Sequence, residues 1–249
     1  MTATDVWSSP PQTLKLERDE VHVWRASLDL EASSIQSLLR TLCVEEQQRA
    51  ERFHFPKDRD RFIVARGLLR AILSFYLGKE PSCWRFVYNE YGKPALTAAY
   101  NKEPLCFNLS HSRELALYAV TQNRNLGVDL EYIRTDFPWE EIAERFFSPK
   151  ENAVLRTLPQ NMKHKAFFTC WTRKEAYIKA TGKGLTLPLD QFDVSLIPGE
   201  QAMLLSIAGD HQAACHWSLQ ELIPDPDYVA ALAVEGTGWQ LKCWQWISE

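Results

Sequence analysis

The spacing of apolar residues predicts two long helices, one in each half of the chain. The first should span residues 56–77, because Pro56 suits the first helical position and Gly78 suits the end. Its apolar face consists of residues at helical spacing: Phe62, Ala65, Leu69, Ile72 and Leu73. The second helix should run from about residue 165 to Gly182, with Phe167, Phe168, Trp171 and Ile178 on its apolar face.

Alternating apolar and polar residues predict three strands in quick succession, at residues 105–110, 115–121 and 126–133. The connections between them are short, which favours an antiparallel meander. In a meander the first and third strands run in the same direction, so His111 should lie at the same end of the sheet as Glu131.

Weaker patterns complete the prediction. We expect helices over residues 38–53 and 137–147, and a capping box at residues 148–151. Further strands are predicted at residues 21–26, 84–88, 187–196, 203–207, 216–222, 228–234 and 241–247. Short connections join the last three, so a second meander is expected there.

A short internal repeat suggests how the chain is divided. Residues 50–58 read AERFHFPKD and residues 143–151 read AERFFSPKE, each before a long helix. We expect an α+β fold, a pseudo-two-fold pair of similar halves, each a long helix packed on a mainly antiparallel sheet. The predicted units are a lead-in (1–20), an N-terminal half (21–124) and a C-terminal half (125–249), with the active site in the cleft between halves.

Composition narrows the class of protein. The chain has 249 residues, 45% of them hydrophobic and 24% charged, which is typical of a soluble globular protein. A formal net charge of −4 argues against general nucleic-acid binding. No apolar run approaches membrane-spanning length, and the six cysteines contain no Cys-x-x-Cys motif. We therefore expect a cytoplasmic monomer with reduced thiols, which binds neither nucleic acid nor membrane.

Two carboxylates share one face of the strand predicted at residues 126–133. Asp129 and Glu131 lie two residues apart, on the face opposite Leu126, Val128 and Leu130. Carboxylate oxygens at this spacing repel each other and suit Mg²⁺, which usually takes one or two carboxylates together with phosphate and water. A solvated polar face would explain the same pair, so both interpretations stay open here.

A third carboxylate lies on the second long helix. Trp171, Glu175 and Lys179 are four residues apart and stack along one side, beside the apolar face. A carboxylate in that place needs its charge compensated, by Lys174, by Lys179 or by a metal. An ordinary amphipathic helix with a Glu–Lys pair is the alternative.

Five motifs, in this order and spacing, resemble the 4′-phosphopantetheinyl transferases, and in particular the larger, two-half type that activates surfactin synthetase. They are YGKP (91–94), FNLSHS (107–112), GVDLE (127–131), FFS (146–148) and WTRKEAYIKATGKGL (171–185). The resemblance covers about residues 50–190. It implies transfer of the phosphopantetheine arm of coenzyme A to a serine of an apo acyl or peptidyl carrier protein. The cofactor would be Mg²⁺, with Mn²⁺ as a substitute, and the product adenosine 3′,5′-bisphosphate.

The resemblance also implies a set of site residues. The metal ligands would be Asp129, Glu131 and Glu175, and the catalytic residues Glu175, Lys179 and His111. Coenzyme A would contact Arg49, Lys57, Arg61, Lys93, Asn108, Ser110, His111 and Lys179. Glu46 stands where some relatives carry lysine, so which basic residue contacts the 3′-phosphate stays open. Glu175, or water on the metal, would take the proton of the attacking serine; because a Glu175 that binds Mg²⁺ tightly is a poor base, its two roles compete.

Two other classes of function use the same residues. A metal-dependent phosphohydrolase would direct water at the phosphate, and a carrier-docking protein would keep the fold without catalysis. Residues 135–139 have two possible roles. Phe137 and Trp139 would either form an exposed surface that docks the carrier or pack the following helix against the core.

Overall fold

The computed structural model describes residues 7–97 and 104–247. Its helices are α1 (Ala32–Leu39), α2 (Val44–Glu51), α3 (Pro56–Leu77), α4 (Trp139–Phe146), α5 (Pro149–Thr157), α6 (Gln160–Thr181) and α7 (His211–Ala214). Its strands are β1 (Glu20–Ser27), β2 (Phe86–Tyr88), β3 (Pro94–Leu96), β4 (Leu105–Ser112), β5 (Leu115–Gln122), β6 (Leu126–Tyr132), β7 (Phe192–Val194), β8 (Leu204–Ile207), β9 (Trp217–Leu222), β10 (Tyr228–Glu235) and β11 (Gln240–Gln245).

Two sheets and the two long helices form four layers. The first sheet has the order β11-β1-β5-β4, and the second has the order β6-β10-β9. One face of the first sheet packs on α3 through residues such as Trp24 and Tyr118, and one face of the second packs on α6 through residues such as Ala231. The other faces pack against each other, Val23 with Leu232 among them. The α+β prediction of paired halves is confirmed.

Both long helices end where the sequence predicts. α3 begins at Pro56 and stops at Gly78, which takes a left-handed φ of 63°. α6 stops at Gly182, with a φ of 69°, although it begins five residues earlier than predicted. Glycine adopts this conformation without a Cβ clash, so both sequence signals act locally.

The single helix predicted at residues 38–53 is wrong. The chain forms α1 and α2 instead, because Glu46 accepts a hydrogen bond from the Cys43 N–H (3.1 Å) and starts a new helix there. Neither helix has a long apolar face of its own; α1 and α2 both pack on α3. The break lets two short segments cover that helix.

Both meanders are wrong in their third strand. β4 pairs with β5 as expected, but β5 has β1 on its other edge, so β6 pairs antiparallel with β10 instead. β10 then has both edges occupied by β6 and β9. For this reason β11 pairs in parallel with β1, in the first sheet. The division between halves at residues 124 and 125 stays a prediction, and β11 departs from it.

The predicted lead-in includes residues 1–6, which lie outside the described residues. Beyond them, Trp7 donates a hydrogen bond from Nε1 to the Ile223 carbonyl (2.8 Å), and Ser8 forms a bridge with Trp244. This part of the lead-in therefore packs along β11. Within the described ranges, none of the helices has the length and apolar character to cross a membrane.

Candidate active site

Parallel alignment of β4 and β6 brings the predicted site residues together. Ser112, next to His111 at the end of β4, donates a hydrogen bond to Glu131 Oε2 on β6 (3.0 Å). Two residues earlier, Ser110 donates to Asp129 Oδ1 (3.0 Å). The expectation that His111 and Glu131 lie at the same end of the sheets is confirmed, although the strands are not joined as a meander.

Asp129 is not on a solvated strand face. Its residue is 4% exposed, and its Oδ1 accepts from Lys179 Nζ (2.6 Å) as well as from Ser110. The second oxygen, Oδ2, is buried without a hydrogen-bond partner among the described residues. A buried carboxylate oxygen with no donor is costly, so this atom marks a place where a cation would be stabilised.

The three predicted metal ligands are close enough to repel one another. Burial raises the pKa of the Glu131 carboxyl, and the negative charge of Asp129 raises it further. Burial also raises the pKa of Glu175, again with Asp129 adding to the effect. Lys179 opposes both shifts. The structure therefore brings Asp129, Glu131, Glu175 and Lys179 together at the junction of the two halves.

Two of the charged residues in the helix motif face away from this junction. Lys174 is fully buried and contacts Glu151 Oε2 (2.8 Å) and the carbonyls of Leu189 and Phe192. Arg173 donates to the Ser195 carbonyl (2.8 Å). Of the two lysines considered for Glu175, Lys179 is thus the one beside it, and Lys174 fixes the β7 segment to α6.

His111 lies beside positive charge. The residue is exposed at the end of β4, but partial desolvation by its neighbours lowers the pKa of its ring, and Lys179 and Arg61 lower it further. The ring is therefore neutral near pH 7, with one nitrogen that donates a hydrogen bond and one that accepts. Asn108, in contrast, uses its side-chain oxygen to accept from the Val128 N–H (2.9 Å).

Lys93 connects the two halves. Its Nζ donates to the carbonyls of Leu126 (3.0 Å) and Ala180 (2.9 Å), and burial lowers its pKa to about 8. The side chain also borders a cleft of about 240 Å³ that Asn108, Glu175 and Lys179 share. Its ammonium thus stabilises the C-terminal end of α6, where carbonyls lack helical partners.

The basic residues of the N-terminal half differ in how far they are neutralised. Lys57 (3.5 Å) and Arg61 (2.9 Å) both contact Asp29. Arg49 has its guanidinium over the Phe62 ring (5.2 Å), and no acidic partner for it is found in residues 7–97 and 104–247. Glu46 is buried and pairs with Arg66 (2.6 Å).

Phe137 and Trp139 face the core more than they face solvent. Both rings contact Phe167 of α6, at centroid distances of 5.8 and 6.3 Å, and both are partly buried. The sequence is compatible with either an exposed docking surface or a core contact for these two residues. The structure supports the core contact.

Trp139→Ala should therefore lower the free energy of unfolding by roughly 1–3 kcal/mol, less than the value for a fully buried tryptophan. Urea denaturation measures this loss, and Trp139→Phe is the control because it keeps an aromatic ring on Phe167. A carrier KM that rises with no loss of stability would instead make Trp139 a docking residue.

These residues have the chemistry to bind a metal ion, although their side chains do not converge on a single point. Within the described ranges, no three His, Cys, Asp or Glu side chains form a ready metal site, and Lys179 occupies one oxygen of Asp129. Three carboxylates that repel one another, one with an unpaired buried oxygen, fit a hard divalent cation such as Mg²⁺.

Paired halves with three carboxylates and a lysine at their junction have the chemistry to bind a cation and a negatively charged ligand. A family model described as the 4′-phosphopantetheinyl transferase superfamily matches residues 125–233. A second, described as 4′-phosphopantetheinyl transferase, N-terminal, matches residues 24–123. The chain belongs to the 4′-phosphopantetheinyl transferase superfamily and is a transferase.

Individual relatives agree with this family. The chain is 48% identical over 240 residues to the 4′-phosphopantetheinyl transferase HetI of a Nostoc species, covering 96% of this chain and 98% of that protein. It is 35% identical over 186 residues to a putative 4′-phosphopantetheinyl transferase of a Synechocystis species, with 74% of each chain covered. It is 32% identical over 188 residues to the 4′-phosphopantetheinyl transferase Sfp of Bacillus subtilis, covering 76% of this chain and 80% of that protein.

Proposed function

We propose that this protein transfers the 4′-phosphopantetheine moiety of coenzyme A to a serine hydroxyl of an apo acyl or peptidyl carrier protein. The reaction would depend on Mg²⁺ and release adenosine 3′,5′-bisphosphate. The observation that carries this proposal is the convergence of Asp129, Glu131, Glu175 and Lys179 at the junction of the halves, in a chain of this family. We further propose a cytoplasmic monomer.

Charge neutralisation is the main task in this reaction, because the leaving group departs as a phosphate. Asp129, Glu131 and Glu175 would hold Mg²⁺, which when bound neutralises charge on the pyrophosphate. Lys179 lies between the two halves with its side chain 28% exposed, so its ammonium can turn from Asp129 to a phosphate oxygen. His111, neutral and beside Lys179, would donate a hydrogen bond to the same phosphate.

Deprotonation of the attacking serine falls to a carboxylate. Burial and the charge of Asp129 raise the pKa of Glu175 above its ordinary value, and a higher pKa makes a carboxylate a stronger base. The same residue is a proposed metal ligand, and a carboxylate bound tightly to a cation is a poor base. Glu175 would therefore either hold the cation or accept the serine proton, and these two roles compete.

Intact-mass measurement of apo carrier proteins, incubated with the protein, coenzyme A and Mg²⁺, tests the proposal directly. A mass increase equal to one phosphopantetheine, abolished by EDTA and restored by excess Mg²⁺, is the expected result. Coenzyme A cleavage with no carrier modification would favour a phosphohydrolase. Carrier binding without either reaction would favour a docking protein.

Recognition of the 3′-phosphate gives a further prediction. Coenzyme A should bind about 10–100-fold more tightly than dephospho-coenzyme A, because a charge-assisted contact contributes roughly 1.5–3 kcal/mol. Arg49 is the strongest candidate for that contact, since Lys57 and Arg61 already share Asp29. Calorimetry with both ligands measures the difference.

Arg49→Gln should reduce this preference for coenzyme A. Arg59→Gln is the matched control, because Arg59 is an arginine of the same half that already pairs with Asp60 (2.9 Å). Equal affinities of the wild-type protein for the two ligands would show that these arginines do not contact the 3′-phosphate.

A further inference from the structure

The edge of β6 that faces β4 is bonded through side chains rather than through backbone. Three N–H groups of β6 donate to side-chain oxygens of β4, in parallel register and twenty positions apart. The pairs are Val128 N–H with Asn108 Oδ1 (2.9 Å), Leu130 N–H with Ser110 Oγ (3.3 Å) and Tyr132 N–H with Ser112 Oγ (3.1 Å). We call these three contacts the side-chain ladder. It joins the first sheet to the second, because β4 belongs to one and β6 to the other.

Each serine of the side-chain ladder also contacts a carboxylate. Ser110 Oγ lies 3.0 Å from Asp129 Oδ1, and Ser112 Oγ lies 3.0 Å from Glu131 Oε2. A hydroxyl has one proton and two lone pairs. Since an ionised carboxylate can only accept, the hydroxyl donates its proton to the carboxylate, and its oxygen accepts from the backbone N–H. Each hydroxyl therefore fixes a carboxylate oxygen relative to the backbone of both strands.

We propose that Ser112 is a positioning residue that orients Glu131 for a divalent cation, an inference that rests on the proposed function. Ligating carboxylates are commonly held by hydrogen bonds from residues behind them, and loss of such a partner weakens metal binding. Ser110 acts in the same way on Asp129, but it also contacts Lys179 Nζ (2.9 Å). Ser112 contacts Glu131 and the Tyr132 N–H, so it is the cleaner position to test.

Ser112 contributes both to the metal site and to the contact between the two sheets. The hydroxyl that aims Glu131 is also the group that holds β4 against β6, so the ligand is in place only where the two sheets are joined in register. Apart from β11, the strands of the first sheet come before the predicted boundary, and the strands of the second sheet come after it. A substitution at Ser112 therefore acts on the contact between the two sheets as well as on Glu131.

Mn²⁺ binding, followed by electron paramagnetic resonance of the free ion with and without coenzyme A, tests the proposal. Ser112→Ala should weaken Mn²⁺ binding by about tenfold, and Ser112→Thr, which keeps the hydroxyl, should restore it to near the wild-type value. Ser218→Ala is the matched control. Ser218 lies on β9, at the far edge of the second sheet, and its hydroxyl donates to the Gly236 carbonyl, so the variant loses a strand hydroxyl away from the carboxylates. It should bind Mn²⁺ like the wild type.

Thermal unfolding of each variant shows whether it is folded. If Ser112→Ala is unfolded, Ser112→Cys replaces it, because a thiol fills the space and is a weak donor; the same loss of Mn²⁺ binding is expected. Wild-type Mn²⁺ affinity in a folded Ser112→Ala or Ser112→Cys protein would overturn the proposal. So would failure of the wild-type protein to bind Mn²⁺ at all.

The transfer assay separates this inference from the proposed function. If the wild-type protein modifies a carrier but Ser112→Ala binds Mn²⁺ normally, only the role of Ser112 is wrong. If Mn²⁺ binding weakens as expected but no carrier is ever modified, the role of Ser112 stands and the proposed reaction is wrong.

Discussion

Asp129→Asn is expected to lower kcat/KM for phosphopantetheine transfer by roughly 10³-fold, because it removes a charged metal ligand at the point where phosphate charge must be neutralised. The carboxylate is also the counter-ion of Lys179 (2.6 Å). Asparagine keeps the shape and one oxygen, so the contact with Ser110 can persist. Initial rates of carrier modification, read by intact mass at several Mg²⁺ concentrations, measure the loss.

Stability must be measured beside activity for this variant. A residue on a solvated polar strand face could be removed with little effect on folding. The structure shows a residue that is 4% exposed, so Asp129→Ala would leave a cavity and an uncompensated Lys179. Asparagine avoids the cavity, and the part-exposed lysine can be solvated by water.

Asp193→Asn is the matched control for Asp129→Asn. Asp193 is also a buried strand aspartate with a lysine partner, Lys150 (3.1 Å), but it lies on β7 and is not one of the three proposed metal ligands. The Asp193→Asn protein should be less stable than the wild type but keep its transfer activity. Near-normal transfer by a folded Asp129→Asn protein would remove Asp129 from the catalytic site.

Gly127→Ala is expected to cost at least about 3 kcal/mol of unfolding free energy, at the upper end of the range for overpacking. A Cβ at this position would come within 3.0 Å of main-chain atoms of Ala176, Lys179 and Ala180. These atoms belong to the backbone of α6, which cannot give way as a side chain can. Urea denaturation measures the cost.

The same substitution should reduce transfer in whatever fraction remains folded. Glu175 and Lys179 are carried by the turns of α6 that Gly127 contacts, so pushing the helix outward moves both from Asp129. Gly67→Ala provides a graded comparison. Its Cβ would contact the Leu38 side chain, which can shift together with the short helix α1. The loss of unfolding free energy should therefore be smaller than for Gly127→Ala. Equal costs at the two positions would show that α6 adapts freely.

Local patterns in the sequence determined the two long helices and the spacing of the charged residues on β6 and α6. Pro56 and Gly78 fix the ends of α3, and Gly182 fixes the end of α6, because each acts through the backbone of its own turn. The two-residue spacing of Asp129 and Glu131 and the four-residue spacing of Glu175 and Lys179 also follow from local geometry. These residues were brought together as expected, although their roles in metal and coenzyme binding stay predictions.

Only the tertiary structure decided which strands pair and which charged side chains meet. β11 pairs with β1, and β6 pairs with β10, because those strand edges are free once the other strands are placed. Which edges stay free depends on the whole fold and cannot be inferred from a short segment of sequence. Lys174 and Lys179 are equally plausible partners for Glu175 in sequence. The packing of α6 turns one toward Glu151 and the other toward Asp129, because the face of a helix that is buried depends on what lies against it.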